Sequence, residues 1–344
     1  MSSIKDVAAL AGVSLSTVSI VVNGKAKERK ISEATQQRVL EAMQELSYIP
    51  NVSAKILRKG DTQKYVVALF WNFDFRGIMM HRFLFGLQKR IQEENADMSV
   101  VIHPYQTGKL SREAESFQNG EFHAAIISNA DNVDLEFLEK NDFKSRIVLY
   151  NRLSDRYSSV NVDNEKIGQL AAEHLCHAGY RSPIVVSASN NFQEANSREI
   201  AFMDRMERLG ANFPEHRMVY AKNSVKGGFE CGQRILQEKL AKDADCFFCA
   251  SDAIGLGMMN AWYEKGGIPD QMGLIAIGNS DPQYAKYHRP SISVINIPIE
   301  EMAEGCYELL KEGMHNPEQK VERRYFETQL YQRESTGKAV QSSR

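Results

Sequence analysis

The sequence has few cysteines, no excess of charge of one sign and no long apolar segment. Its five cysteines in 344 residues are too few and too scattered for the disulfide framework of a small secreted domain. No apolar run approaches membrane-spanning length, and the amino terminus lacks the basic, apolar and small-residue pattern of a signal peptide. We therefore expect a cytoplasmic protein.

Catalytic and metal-binding patterns are also lacking. Cys246 and Cys249 have the spacing of a redox or zinc motif, but they lie in a strand-like run without a second pair. His174, Cys176 and His177 lie close together without a fourth ligand. No convincing Ser-His-Asp, Cys-His or paired-carboxylate pattern is present. We expect no enzymatic activity, no metal and no cofactor.

Charge is distributed unevenly along the chain, although the net charge is only −2. Residues 1–60 contain nine lysines and arginines against five acids, so this part carries +4 and the rest −6. A basic front on an acidic body favours a nucleic-acid-binding head joined to a body that binds a neutral ligand or a protein.

The segment DVAALAGVSLSTVSIVVN, residues 6–23, has the pattern of two short crossed helices. Gly12 can adopt the left-handed conformation that ends the first helix, and Ser14 is a good N-cap for the second. The positions expected to face inward are Val7, Ala8, Ala11, Val13, Val18 and Val21. The pattern predicts a helix-turn-helix whose second helix enters the major groove of DNA; an ordinary helical hairpin is the alternative.

A third helix is predicted in SEATQQRVLEAMQELSY, where Ser32 is the N-cap. Its apolar stripe comprises Val39, Leu40, Met43 and Leu46. The basic loop GKAKERK before it suits contacts with phosphates, which add affinity but do not read sequence.

The next segment, YIPNVSAKILRKG, covers residues 48–60. Its helix-capable part is too short to be stable alone in water, so we expect it to fold only against DNA or a partner. Leu57, flanked by Lys55, Arg58 and Lys59, suits an apolar wedge inserted between base pairs from the minor groove. A flexible linker is the alternative interpretation.

These segments and the body beyond them resemble the lactose-repressor (LacI/GalR) family of bacterial transcription regulators nearly end to end. The pattern D-V-A-x-x-A-G-V-S-x-x-T-V-S is highly specific. The resemblance implies that Leu15, Ser16 and Ile20 read bases. It also gives Leu57 the minor-groove role and makes Ala54 the small residue between two packed hinge helices. The DNA-contacting residues expected in full are Ser14, Leu15, Ser16, Thr17, Ile20, Asn23, Lys25, Lys27, Asn51, Ala54, Leu57 and Arg58.

Ile20 stands where many members of that family have arginine. Isoleucine cannot form the forked hydrogen bonds that arginine makes to guanine; it can only contact a thymine methyl group or exclude water. We therefore expect an operator that differs from those of arginine-bearing relatives.

From Tyr65 onward, apolar strand-like runs alternate with helical stretches, which predicts parallel sheets covered by helices. The strand-like runs are YVVALFW, MSVVIHPY, AAIIS, RIVLYN, PIVVSA, DCFFCAS and MGLIAIGN. So many units exceed one compact sheet, and the resemblance implies two lobes of a periplasmic-binding-protein-like fold. The predicted class is α/β, with a helix-turn-helix head and a two-lobed body.

The predicted organisation has four parts. A head (residues 1–49) is followed by a hinge helix and linker (residues 50–64), the body (residues 65–333) and a disordered tail (residues 334–344). Within the body, the first lobe takes residues 65–162 and 293–324, and the second takes residues 163–292 and 325–333.

Ligands of such sheets bind beyond the carboxyl ends of the strands, here in the cleft between the lobes. The candidate effector-binding residues are Trp71, Asn72, Asp74, Ser128, Asn151, Arg198, Asn223, Ser251, Asp252, Ser280 and Asp281. Amide, hydroxyl and carboxylate groups beside an aromatic ring suit a sugar. Arg198 is assigned by resemblance, from SREIAF, and Ser280 in IGNSD stands where many relatives have aspartate, which leaves the effector open.

We expect a DNA-binding regulator, most simply a repressor. We expect it to be a homodimer, because the leucine-heptad tail that makes the lactose repressor a tetramer is absent. Its partners would be a double-stranded operator and a small sugar-like effector, without a membrane. Two alternatives are a regulator controlled by a protein partner and a sugar-binding transport protein or sugar enzyme.

Overall fold

A computed structural model gives the fold of most of the 344-residue chain. The residues it describes are 4–22, 26, 28–46, 65–72, 77–143, 145–189, 193–213, 218–266, 272–316 and 320–337. They form three helices near the amino terminus and a larger α/β body with two sheets.

The amino-terminal head consists of α1 (Ile4–Ala11), α2 (Leu15–Val22) and α3 (Glu33–Glu45). Its core is formed by Val7, Ala8, Ala11, Val18, Val39 and Ala42. Ser32 caps α3 as predicted, by accepting a hydrogen bond from the Thr35 N–H, whereas Leu40 is exposed rather than part of the stripe. No single described helix is long and apolar enough to cross a membrane; α1 and α2 meet that criterion only when taken together as a bent pair.

The first lobe is built on a six-stranded, wholly parallel sheet in the order β11-β5-β4-β3-β1-β2. Its strands are β1 (Tyr65–Asn72), β2 (Met98–Tyr105), β3 (Ala124–Ser128), β4 (Arg146–Tyr150), β5 (Ser158–Val162) and β11 (Arg323–Phe326). The helices around it are α4 (Gly77–Glu93), α5 (Ala114–Asn119), α6 (Asn132–Lys140) and α12 (Ile299–His315).

The second lobe is built on another six-stranded sheet, in the order β12-β10-β9-β8-β6-β7, in which only β12 is antiparallel. Its strands are β6 (Pro183–Ala188), β7 (Met218–Ala221), β8 (Cys246–Cys249), β9 (Gly273–Gly278), β10 (Ser293–Asn296) and β12 (Gln329–Tyr331). Its helices are α7 (Asn164–His177), α8 (Gln193–Arg208), α9 (Val225–Gln237), α10 (Asp252–Tyr263) and α11 (Pro282–Tyr287).

Two predicted lobe boundaries differ from the structure. Residues 293–296, assigned to the first lobe, form β10 and pair with β9 in the second sheet, while residues 325–326, assigned to the second lobe, belong to β11 and pair with β5. The chain leaves the second lobe only after β10, shortly before α12 begins at Ile299.

The predicted disordered tail begins too early. Glu334–Thr336 form a short 3-10 helix, and the Ser335 and Thr336 side chains are buried. Ser335 donates to the Leu274 carbonyl at 2.5 Å, and the Thr336 hydroxyl lies 2.7 Å from His174 Nε2. The segment is polar, but its hydroxyl groups hydrogen-bond to β9 in the second sheet and to His174 on α7. Residues 338–344 lie outside the described residues.

Candidate functional site

The turn between α1 and α2 is closed by the residues that the sequence singled out. Gly12 has a φ of +63°, in the left-handed region that glycine adopts without steric cost, and the Val13 N–H donates to the Ala8 carbonyl at 3.0 Å. Ser14 Oγ accepts the Thr17 N–H at 3.1 Å and thereby caps α2. The helices are bent by 104°, within the range of helix-turn-helix motifs.

The outer face of α2 carries side chains that are open to a partner. Ser14, Leu15 and Ser16 are exposed, with Leu15 at 43 %, while Val18 on the opposite face is fully buried. Thr17 and Ile20 are half-buried, and Ile20 lies one helical turn after Ser16 on the same face. An apolar and a hydroxyl-bearing side chain thus project together, as contact with base edges requires.

Several predicted contact residues lie outside the described residues. In the head and hinge these are Asn23, Lys25, Lys27, Asn51, Ala54, Leu57 and Arg58, and in the body Asp74. Their roles stay predictions.

Trp71 does not present its ring to the cleft. It is 2 % exposed and packs between Phe83 and Tyr150, with ring centroids at 5.4 and 5.9 Å. Its indole N–H is buried without a hydrogen-bond partner among the described residues. The expectation that this ring covers a sugar is therefore corrected: Trp71 is part of the core where the lobes join.

The other candidates on the first lobe are held by its own strand ends. Asn72 donates from Nδ2 to the Thr107 hydroxyl, and buried Ser128 donates to the Phe70 carbonyl at 3.1 Å. Asn151 follows β4 with a φ of +55°. Asn129, at the equivalent place after β3, has a φ of +56°, so two neighbouring strands end in the same left-handed turn.

On the second lobe, the structure brings four candidates into two bonded pairs. Ser251 Oγ donates to Asn223 Oδ1 at 2.6 Å, which joins the ends of β7 and β8. The Ser280 N–H donates to both Asp252 carboxylate oxygens at 3.1 Å, which joins the start of α10 to the end of β9. Asp281 has a structural role, since its side chain accepts the Gln283 N–H at the start of α11.

Burial and hydrogen bonds act on Asp252 in opposite directions. Its carboxylate is almost fully buried, and this desolvation raises its pKa above the ordinary value, against the Ser280 and Ala253 hydrogen bonds and the nearby Arg82 charge, which lower it. Asp252 is a buried acid that its surroundings only partly stabilise as an anion.

Arg198 faces the junction of the lobes from α8. Its Nε donates to Asn164 Oδ1, at the start of α7, at 2.7 Å. The family-based assignment thus falls on a half-buried arginine at the end of the cleft where the chain passes from β5 into the second lobe.

Arg82, which was not among the predicted site residues, connects the two lobes. From α4 its guanidinium donates to both Glu300 carboxylate oxygens, at 2.7 and 2.6 Å, and to the Ser280 carbonyl at 3.2 Å. Arg82 is only 6 % exposed. Gly86, one turn later, lets α4 approach α12 closely, since a Cβ there would lie 2.3 Å from the Glu300 carbonyl oxygen. An arginine one turn before a glycine on a buried helix face was the available signal.

Two family models match the chain. Residues 3–51 match the model of bacterial regulatory proteins of the lacI family, and residues 172–336 match a periplasmic binding protein-like domain. These ranges contain the head helices and most of the second lobe.

Known proteins match over most of the chain. A LacI family transcription regulator from Clostridium acetobutylicum is 33 % identical, with a TM-score of 0.75, over 79 % of this chain and 100 % of that one. The probable HTH-type transcriptional repressor ExuR of Bacillus subtilis (strain 168) is 25 % identical over 97 % of this chain and 98 % of its own. The transcriptional regulator CelR in complex with cellobiose has a TM-score of 0.68 and 23 % identity, over 97 % of this chain and 100 % of that one.

Proposed function

This chain belongs to the lacI family of bacterial regulatory proteins and is a transcriptional regulator rather than an enzyme, and we propose that it is a homodimeric repressor. In this proposal the two heads bind half-sites of a near-palindromic operator in the cytoplasm. A small sugar or sugar derivative in the cleft controls the binding.

The observation that carries the proposal is the outer face of α2. Leu15 and Ser16 are exposed at its start, while the buried side of α2 packs on α1 and α3 and fixes the direction of that face. A helix of this kind presents its first residues to base edges in the major groove. Ile20 offers an apolar contact on the same face, which favours a thymine methyl group.

The sugar-like effector is supported by the second lobe's strand ends. The Ser251 hydroxyl donates to the Asn223 amide oxygen, and the Ser280 N–H donates to the Asp252 carboxylate. Ligand hydroxyl groups can replace hydrogen-bond partners of this kind. The cellobiose complex of CelR has the same fold. Trp71 is not offered as a stacking surface, so recognition would rest on hydrogen bonds.

The contacts of Arg82 support a coupling between ligand binding in the cleft and the relative arrangement of the two lobes. A ligand that contacts Ser280 or Asp252 touches the residues to which Arg82 connects the first lobe. Such a ligand would have different contacts in open and closed arrangements of the lobes, which is the requirement for shifting their populations.

The homodimer is supported by exposed apolar side chains on the first lobe. Phe85 on α4 is 63 % exposed, and Ile78 is exposed on the same helix. On β2, an edge strand of the first sheet, Val101 and Ile102 are exposed as well. A second copy of the chain would cover these surfaces.

Selection from random duplexes tests the DNA-binding part. We expect the full-length protein to enrich a near-palindromic sequence and the chain without residues 1–60 to enrich none. Ile20→Arg should change the preferred base at one symmetric pair of positions, towards guanine, whereas the control Ile20→Val should keep the original preference. Equal retention of all duplexes by the full-length protein, with and without candidate effectors, would contradict the proposal.

Thermal unfolding tests the effector part. Sugars, sugar phosphates and nucleosides are added to the full-length protein, and a cleft ligand should raise the melting temperature. Arg198→Gln should remove that rise. If no compound raises it, control by a protein partner gains support over a small effector.

A further inference from the structure

A cavity of about 380 Å³ lies in the first lobe, at the end opposite to the cleft. It is bounded by residues at the amino ends of β4 and β5 and just before β3, together with the last turn of α12. The carboxyl ends of these strands face the cleft, so the two sites are separated by the length of the sheet. We call this space the basal cavity.

The charged side chains that line the basal cavity are basic. Arg146 and Arg156 line it, and no aspartate or glutamate does among the described residues. Arg156 donates to the Glu139 carbonyl at 2.6 Å and to the Asp142 carboxylate. Asp142 is 98 % exposed, so water screens this ion pair strongly.

The absence of a side chain at Gly313 makes room for the guanidinium group of Arg146. A Cβ at this position would lie 2.2 Å from Arg146 Nε, so the arginine packs directly on the backbone at the end of α12. The lining therefore holds two guanidinium groups, which are the preferred donors to carboxylate and phosphate oxygens.

Two other residues that line the cavity, Ser158 and His123, each have one hydrogen-bond donor without an acceptor among the described residues. Ser158 is 3 % exposed, and its Oγ accepts the Glu322 N–H at 3.1 Å, while its own O–H has no acceptor among the described residues. His123 Nδ1 accepts the Val66 N–H at 3.0 Å, so the neutral ring carries its hydrogen on Nε2. That atom is buried without a partner in the described part of the chain. A buried hydrogen-bond donor without an acceptor destabilises the folded protein. A ligand that supplies an acceptor to these donors would therefore bind favourably in the cavity.

We propose that the basal cavity is a second ligand site, for a small molecule that carries a phosphate or carboxylate group on an apolar body. The arginines and Ser158 bind the oxyanion, and Phe143 and Met314 pack against the apolar part. The cavity volume lies in the range of small-molecule sites.

The location connects this site to the DNA-binding head. His123 contacts both of the first residues of β1: its ring lies 5.5 Å from the Tyr65 ring and it binds the Val66 N–H. The chain enters the body from the head at this strand. A ligand in the basal cavity thus contacts a residue that fixes the start of β1, independently of the cleft.

Calorimetric titration of the full-length protein with phenyl phosphate, benzoate and phenol tests the proposal. We expect at least one of the two anions to saturate a single site per chain. Arg156→Gln should raise its Kd about tenfold, since one charged hydrogen-bond partner is lost. The matched control is Arg323→Gln: Arg323 has similar exposure and pairs with the exposed Asp155, but does not line the cavity. It should change the Kd by about twofold at most.

The outcomes separate the possibilities. Binding of only phenyl phosphate assigns a phosphate ester, and binding of only benzoate assigns a carboxylate. The proposal is overturned if neither anion binds at millimolar concentration, if phenol binds as tightly as the anions, or if Arg156→Gln and Arg323→Gln have equal effects. It is also overturned if Arg198→Gln abolishes anion binding, because the probe then occupies the cleft. Arg146→Gln provides a second variant should Arg156→Gln fold poorly.

Discussion

The head and the cleft differ in how far their candidate contact residues are open to a partner. At the start of α2, the N-cap Ser14 and the helical residues Leu15 and Ser16 are exposed, while Val18 is buried. In the cleft, Ser128, Ser251 and Asp252 are buried and already hydrogen-bonded within the protein. The head residues are open to solvent even where they hydrogen-bond to one another, as the Ser14 and Ser16 hydroxyls do at 2.7 Å. A cleft ligand, in contrast, has to displace hydrogen bonds between buried groups.

This difference has an energetic consequence. Removing an exposed contact residue costs the folded protein little, so its loss appears mainly in binding. Removing a buried, hydrogen-bonded residue leaves its partners unsatisfied and costs stability directly. Variants in the two regions should therefore divide between loss of affinity and loss of stability.

The largest effect is expected for Arg82→Met. The substitution leaves the Glu300 carboxylate, which is 30 % exposed, without its bidentate partner and removes the contact with the Ser280 carbonyl. We expect a loss of about 3 kcal/mol in the unfolding free energy of the body, measured by urea denaturation.

Lys89→Met is the matched control, because Lys89 joins the same two helices through Glu304 at 2.9 Å but is largely exposed. Its loss should cost less than about 1 kcal/mol. Equal costs for the two substitutions would show that Arg82 is not a special connection between the lobes.

The sequence predicted the strands whose ends carry the candidate residues, but not the orientation of the side chains there. All seven predicted strand runs in the body overlap strands. Of the described candidates, all but Arg198 and Asn223 lie at or just after the carboxyl ends of these strands, or at the start of the helix that follows.

The position of Trp71 at the strand end did not reveal which face of the sheet its side chain takes. In a strand, residues two apart share a face, so Trp71 points with Val67 and Leu69 into the hydrophobic core, where it packs on Phe83 and Tyr150.

Contacts between distant segments were beyond sequence reasoning. Arg82 and Glu300 are separated by more than 200 residues and meet only because α4 packs on α12. The short strand β5 was missed because three of the five residues in its sequence, SSVNV, are polar, although all five are buried. In the head, by contrast, Gly12 and Ser14 act within a few residues, and local geometry sufficed to predict the turn.

An intermediate effect is expected in the head, where two neighbouring substitutions should separate affinity from stability. Val18→Ala removes two buried methyl groups and should destabilise the head by about 2 kcal/mol. Leu15→Ala should cost less than about 0.5 kcal/mol but lower the affinity for the selected duplex about tenfold. Circular dichroism on heating and fluorescence anisotropy at fixed salt measure the two quantities. A large stability loss for Leu15→Ala would remove the contrast with the cleft.

The smallest effect is expected for the pH dependence of Asp252. Burial raises its pKa in the folded protein, so between the ordinary and the raised value the folded state binds more protons than the unfolded state. Its contribution to stability is therefore fully present below the ordinary pKa and is lost as pH rises through the raised one.

Asp252→Asn removes this titration while keeping an oxygen that can accept the Ser280 N–H. As pH falls from 7 to about 4, the wild type should gain stability relative to Asp252→Asn, even if both lose stability through other groups. Urea midpoints at several pH values give this difference. A loss of wild-type stability relative to Asp252→Asn on acidification would mean that the Ser280 and Arg82 interactions outweigh burial. Asp252 would then be a stabilised anion, ready for a ligand without rearrangement, and the contrast with the open surface of α2 would not extend to this residue.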